Sequence, residues 1–90
     1  MKSIGIVIPA YKEAENIINL IKKIRKNLKC LIIVVDDSPD LQTKKVILES
    51  KIKNLKYFNR GKKDGRGSAV IFGFKKLILM KKNLDCLIEM

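Results

Sequence analysis

Ninety residues carry 20 Lys and Arg against 9 Asp and Glu, a formal charge of +11, with no His, no Trp and two Cys. A chain this short forms one domain and buries only about 60 to 65% of its unfolded surface; without histidine or paired cysteines it has no zinc-ligand set. No apolar run approaches the roughly 20 residues of a membrane span.

The first expected element is a strand over Ile4–Ile8, stopped by Pro9, which cannot donate to a sheet ladder. Lys12 and Glu13 follow too soon for a signal-peptide core. Ala14, Ile17, Ile18, Ile21, Ile24 and Leu28 then fall at helical spacing, with acids (Glu13, Glu15) at the start and bases towards the end, as a helix dipole favours. Leu31-Ile-Ile-Val-Val35 is an unbroken apolar run that ends in Asp36 and Asp37. Such a run reads as a buried parallel strand. Its two carboxylates either face a ligand at the strand's end or cap the next helix.

A turn over Asp36–Asp40 contains Pro39, and a weaker helix is expected from about Leu41 to Lys51, followed by a short strand over Leu55–Asn59. The segment Arg60-Gly-Lys-Lys-Asp-Gly-Arg-Gly67 is a basic, glycine-rich loop, with Ser68 as the expected N-cap of a third helix. Val70, Ile71, Phe74, Leu77 and Ile78 make the apolar stripe of that helix. Gly73 inside it costs about 1 kcal/mol of helix propensity, which is acceptable if the helix must lie close to a sheet. A last strand is expected over Leu84–Met90.

The pattern βαβαβαβ, with right-handed crossovers, predicts an α/β fold built on a doubly wound parallel sheet of strand order 3-2-1-4. The loops after the first three strands then share one edge. Tyr11 can stack on a base, Asp37 can accept a hydrogen bond from a base imide N–H, and Lys62, Lys63 and Arg66 can neutralise a diphosphate. The glycine-rich loop is neither a Walker loop nor a dinucleotide fingerprint.

Three ordered segments carry a resemblance. Ile6-Val-Ile-Pro-Ala-Tyr-Lys-Glu-Ala-Glu-Asn-Ile17, Ile33-Val-Val-Asp-Asp-Ser-Pro-Asp40 with Thr43, and Gly65-Arg-Gly-Ser-Ala-Val-Ile-Phe-Gly-Phe74 resemble the successive signatures of family-two glycosyltransferases with the GT-A fold. The last segment is most similar to the dolichyl- or polyprenyl-phosphate sugar synthases. The resemblance implies a Rossmann-like nucleotide-binding half of a GT-A fold. It places Pro9, Tyr11 and Glu13 around the nucleoside, Val35 and Asp37 at the base, and the loop with Lys62, Lys63 and Arg66 near the diphosphate or the acceptor phosphate.

The departures are local. Lys12 stands where the family usually has asparagine, and the turn from Asp36 to Thr43 lacks the usual glycine and is one residue short between Asp37 and Asp40. Leu87-Ile-Glu-Met90 resembles the strand that leads into the family's Asp-x-Asp metal motif, which does not occur in these residues.

The expectation is thus that residues 1–90 are a truncated N-terminal nucleotide-sugar-binding part of a glycosyltransferase domain. The complete enzyme would transfer a sugar from a nucleoside-diphosphate sugar to a polyprenyl or dolichyl phosphate, with Mg or Mn as divalent cation held outside this chain. These residues alone are expected to be inactive. Cysteines in apolar surroundings suit a reducing cytoplasm, and the positive charge suits a chain peripheral to an anionic membrane. The alternatives are a non-enzymatic remnant or interaction module that pairs with itself or a partner chain through an open edge strand, and a basic nucleic-acid-binding domain. Few aromatics and the motifs clustered at one edge count against nucleic acid.

Overall fold

The apolar runs fold as strands and the periodic segments as helices, in a computed structural model that describes residues 4–27, 30–61, 66–80 and 86–89. In chain order these are β1 (Ile4–Ala10), α1 (Ile17–Asn27), β2 (Cys30–Asp36), α2 (Gln42–Ser50), β3 (Leu55–Asn59), α3 (Arg66–Met80) and β4 (Cys86–Glu89). The strands form one sheet in the order β3-β2-β1-β4, with every neighbouring pair parallel. Leu84, Asp85 and Met90, assigned to the last strand on sequence, lie outside the described residues.

Alternation along the strands divides the core in two. Ile6, Ile8, Ile32 and Val34 pack with Ile17, Ile21 and Ile24 of α1 and Ile47 of α2. Val7, Ile33 and Val35 face the other way, onto Ala69 and Leu77 of α3. Helices on both faces explain why β2 shows no polar alternation: both of its sides are buried. Each fully buried Ile or Leu contributes about 1.5–3 kcal/mol, so these two layers carry most of the fold.

Pro9 does not end β1. The strand continues through it, with Pro9 opposite Val35 and Ala10 opposite Asp36. The Ala10 carbonyl accepts from the Asp37 N–H at 3.0 Å, so the neighbouring Pro9 points its missing donor to the other side. On that side the described pairing with β4 runs from Ile4 to Val7, so among the described residues Pro9 faces no partner that needs its donor.

Helix α1 also begins later than its acids suggest. Glu13–Asn16 form a separate turn, in which the Glu13 carbonyl accepts from the N–H groups of Asn16 (3.0 Å) and Ile17 (2.8 Å). The first turn of α1 therefore holds no acid, while Arg25 and Lys26 do occupy the last. Just before this turn Lys12 has a left-handed φ of 54°, which stops any helical turn from extending back past Glu13 towards β1. Asparagine adopts that conformation at lower cost, so Lys12→Asn is expected to raise stability by about 0.5 kcal/mol, read as a higher urea midpoint at unchanged slope.

Helix α3 departs from its expected stripe. It starts at Arg66, so Ser68 lies inside the helix and is not its N-cap. Val70 and Leu77 are buried and Phe74 partly so, but Ile71 is 58% and Ile78 53% exposed. The buried face is centred instead on Ala69, Val70, Gly73 and Leu77. Gly73 lies so close to β1 that a Cβ there would stand 2.4 Å from Val7 Cγ1. The small residues, and not the largest ones, set the helix's rotation.

Cys30 and Cys86 both pair with Ile4, from opposite sides of β1. Two strand spacings put them about 9.6 Å apart, beyond the reach of a disulfide. No helix among the described residues is long and apolar enough to cross a membrane.

Candidate functional site at the carboxyl edge of the sheet

Because the strands are parallel, the chain leaves β1, β2 and β3 at one edge, where open α/β sheets bind their ligands. The residues Tyr11–Lys12, Asp37–Asp40 and Arg60–Gly61 meet there with the start of α3.

Asp36 builds the edge. It is fully buried; its Oδ1 accepts from the Ser38 N–H at 3.0 Å and the Ser38 hydroxyl at 2.6 Å, and its Oδ2 accepts from the Tyr57 hydroxyl. The Lys12 N–H donates to Ser38 Oγ at 2.6 Å, which joins the loop after β1 to the loop after β2. Asn59 Nδ2 donates to Tyr57 Oη at 3.0 Å and to the Ser38 carbonyl at 3.4 Å. Neither Asp36 nor Asp37 caps α2: Leu41 holds the N-cap without a side-chain bond, and the Gln42 N–H donates to Asp40 Oδ1 at 3.1 Å.

Burial, and then the hydrogen bond to Asp36, push the Tyr57 hydroxyl above its ordinary value of 10.0. A folded-state value raised above the unfolded one means that the neutral hydroxyl's contribution is complete below about pH 10 and is lost as pH climbs through the folded value. Unfolding free energy is therefore expected to fall above pH 10, and Tyr57→Phe to flatten that fall, as read from urea titrations between pH 8 and 11. An equally steep decline in the Phe variant would contradict the assignment.

Asp37 faces the opposite way from Asp36, as neighbours on an extended chain must. Arg60 grips it with two bonds: Nε donates to Oδ1 and Nη2 to Oδ2, each at 2.7 Å. Arg60 Nη1 donates to Ser68 Oγ at 2.7 Å, and the guanidinium carbon lies 5.9 Å from the centre of the Phe72 ring. The side chains of Arg60 and Asp37 are only 12% and 7% exposed. A carboxylate offers about four lone-pair directions, so the two Arg60 bonds leave Asp37 with acceptor capacity for a ligand.

Arg60 is the residue that sequence reasoning missed. It reads there as the first of several bases in a loop, although its place at the end of β3, level with Asp37 at the end of β2, was the available signal. The other candidates are placed as follows. Pro9 is half-buried and sits opposite the fully buried Val35; Tyr11 is 37% exposed and Glu13 is exposed. Lys12 Nζ lies 5.5 Å from the centre of the Tyr11 ring. Lys62 and Lys63 lie outside the described residues, and Arg66 opens α3, with its side chain outside them as well. Pro9, Tyr11 and Asp37 thus stand at one edge, with Glu13 in the turn beyond, whereas the Val35 side chain is fully buried against α3 and offers a ligand no contact. Among the described residues no group of three His, Cys, Asp or Glu side chains stands ready for a metal ion.

The chain is 38% identical over 77 residues to a dolichol-phosphate mannosyltransferase of Pyrococcus furiosus, an alignment that covers 81% of this chain and 22% of that protein. The chain therefore spans about a fifth of the length of the curated relative it matches. The family model described as Glycosyl transferase family 2 matches residues 5–77, from the first strand through the last buried leucine of α3. The matched stretch takes in the sheet edge with Tyr11, Asp37 and Arg60, and the chain belongs to glycosyl transferase family 2.

Proposed function

We propose that residues 1–90 form the N-terminal nucleotide-sugar-binding part of a glycosyltransferase domain, the Rossmann-like half of a GT-A fold. The donor is a nucleoside-diphosphate sugar and the acceptor a polyprenyl or dolichyl phosphate. The observation that carries this reading is the meeting of Tyr11, Asp37 and Arg60 at the carboxyl edge of a parallel sheet. Support for the acceptor class comes from the relative's name, dolichol-phosphate mannosyltransferase.

In this proposal Pro9, Tyr11 and Glu13 surround the nucleoside, with the buried Val35 supporting the strand end from the core, and Asp37, held in place by Arg60, accepts the base's N–H. Lys62, Lys63 and Arg66 meet the diphosphate or the acceptor phosphate. A lipid phosphate is already an anionic nucleophile, so attack on the anomeric carbon makes little demand for a general base. The complete enzyme would use Mg or Mn to stabilise the leaving diphosphate. In this proposal the cation's site lies outside these residues, because the Asp36 oxygens already accept from Ser38 and Tyr57 and the Arg60 guanidinium on Asp37 would repel a metal ion. The 90 residues also contain no Asp-x-Asp. By themselves they are expected to bind nucleotide without transferring sugar.

Isothermal titration with uridine and guanosine diphosphates checks this. A dissociation constant in the millimolar range or tighter, on the order of −4 kcal/mol or better, is expected for one of the two. Tyr11→Ala should weaken it about tenfold through lost stacking. Absence of binding to either nucleotide, in a chain shown to be folded, would remove the proposal's support.

A further inference from the structure

Helix α2 turns two leucines away from the core that the described residues form. Leu41 is 67% and Leu48 64% exposed. At 3.6 residues per turn, Leu41, Lys45 and Leu48 fall on one line with Lys44 beside it, while Thr43 and Ile47 take the buried side. Leu41, Gln42, Lys44, Lys45 and Leu48 line a shallow open depression of ≈ 450 Å³. Leu41 also holds the N-cap, with φ −106°, ψ 13° and no side-chain cap bond, a position at which leucine is among the poorest residues. It neither caps the helix nor joins the core.

The surroundings of these leucines say what would cover them. Lys44 and Lys45 are exposed on the same face, Glu49 lies towards one flank, and the chain as a whole carries +11. Exposed leucines set among lysines suit the boundary of an anionic bilayer, where the apolar side chains enter the acyl region and the ammonium groups meet lipid phosphates. A second copy docked face to face would set Lys44 and Lys45 against their own counterparts. Nucleic acid would use the lysines and leave the leucines in water.

Position adds a reason. Helix α2 begins directly after the turn that carries Asp37, so its exposed first turns stand beside the carboxyl edge of the sheet. We propose that the outer face of α2, Leu41 and Leu48 with Lys44 and Lys45, docks this chain on an anionic lipid surface. The proposal deepens the reading of a lipid-phosphate acceptor and rests on it for its purpose. Its test involves no nucleotide, so the two can fail separately.

The test is co-sedimentation of the 90-residue chain with vesicles of phosphatidylcholine alone and of phosphatidylcholine mixed with phosphatidylglycerol, at low and high salt. Binding is expected to the anionic vesicles, to fall as salt rises, and to drop about tenfold or more in L41S/L48S. Both leucines are exposed, so the variant should keep the native far-ultraviolet circular dichroism. Equal binding by native and double variant would overturn the proposal, since attraction would then rest on diffuse charge. It would also be overturned by absence of binding to anionic vesicles, or by self-association that L41S/L48S abolishes without any vesicle binding.

Discussion

Gly73→Ala is expected to destabilise the chain by about 2 kcal/mol, although alanine is the better helix former by about 1 kcal/mol. The added methyl would stand 2.4 Å from Val7 Cγ1, 2.9 Å from Cγ2 and 3.2 Å from Cβ. Val7 cannot yield, because it is fully buried in the middle of the sheet, with β2 on one side and β4 on the other. Helix α3 must therefore lift, and it would carry Ala69 and Leu77 away from Ile33 and Val35. Val7→Ala alone should also destabilise, through the space it leaves. The double variant should be more stable than the sum of the two losses by at least about 1 kcal/mol, because each change relieves the other. Urea unfolding of the four proteins gives the coupling directly, and simple additivity would show that the helix does not rest on Val7.

Arg60→Met should cost more, about 3 kcal/mol, by leaving the Asp37 carboxylate nearly buried without its two donors. A domain of this size has only about 5 kcal/mol in all, so the variant would be close to unfolding at room temperature. Replacing both partners, Arg60→Met with Asp37→Asn, removes the unpaired charge and should recover most of that loss. The recovered protein then separates two roles of the pair. If Asp37 also reads a base, the double variant folds and no longer binds nucleotide. A double variant as unstable as Arg60→Met would mean that the loss comes from the Arg60 contacts to Ser68 and Phe72.

These two sites mark where the sequence was legible and where it was not. The elements and their order follow from local pattern: the run Leu31–Val35 is apolar on both faces, and the Ile17, Ile21 and Ile24 spacing defines the buried side of α1. The shared edge follows as well, since parallel strands end on one side. The partnerships across that edge do not, because they join residues far apart in sequence. Asp37 and Arg60 are 23 residues apart, and nothing in the basic loop singles out its first member. Tyr57 meets Asp36 for the same reason: the register that brings Tyr57 level with Val34 is set by the pairing of β2 with β3.

Two helices depart from what their side chains suggest. Large apolar residues weigh most in a helical stripe, yet α3 rotates to bring Gly73 against Val7 and leaves Ile71 and Ile78 outside. Acids ahead of an apolar period suggest a helix start, yet Lys12 turns left-handed and Glu13 and Glu15 fall before the helix. In α3 a backbone constraint outranks side-chain preference.

The central claim is that nucleotide binds at the edge where β1, β2 and β3 end. Amide chemical shifts followed by nuclear magnetic resonance during titration with a nucleoside diphosphate test it most directly. Shifts concentrated at Tyr11, Lys12, Asp37, Ser38 and Arg60, with α2's outer face unmoved, are the expected result. Shifts confined to surface lysines on the helices, with that edge silent, would contradict it.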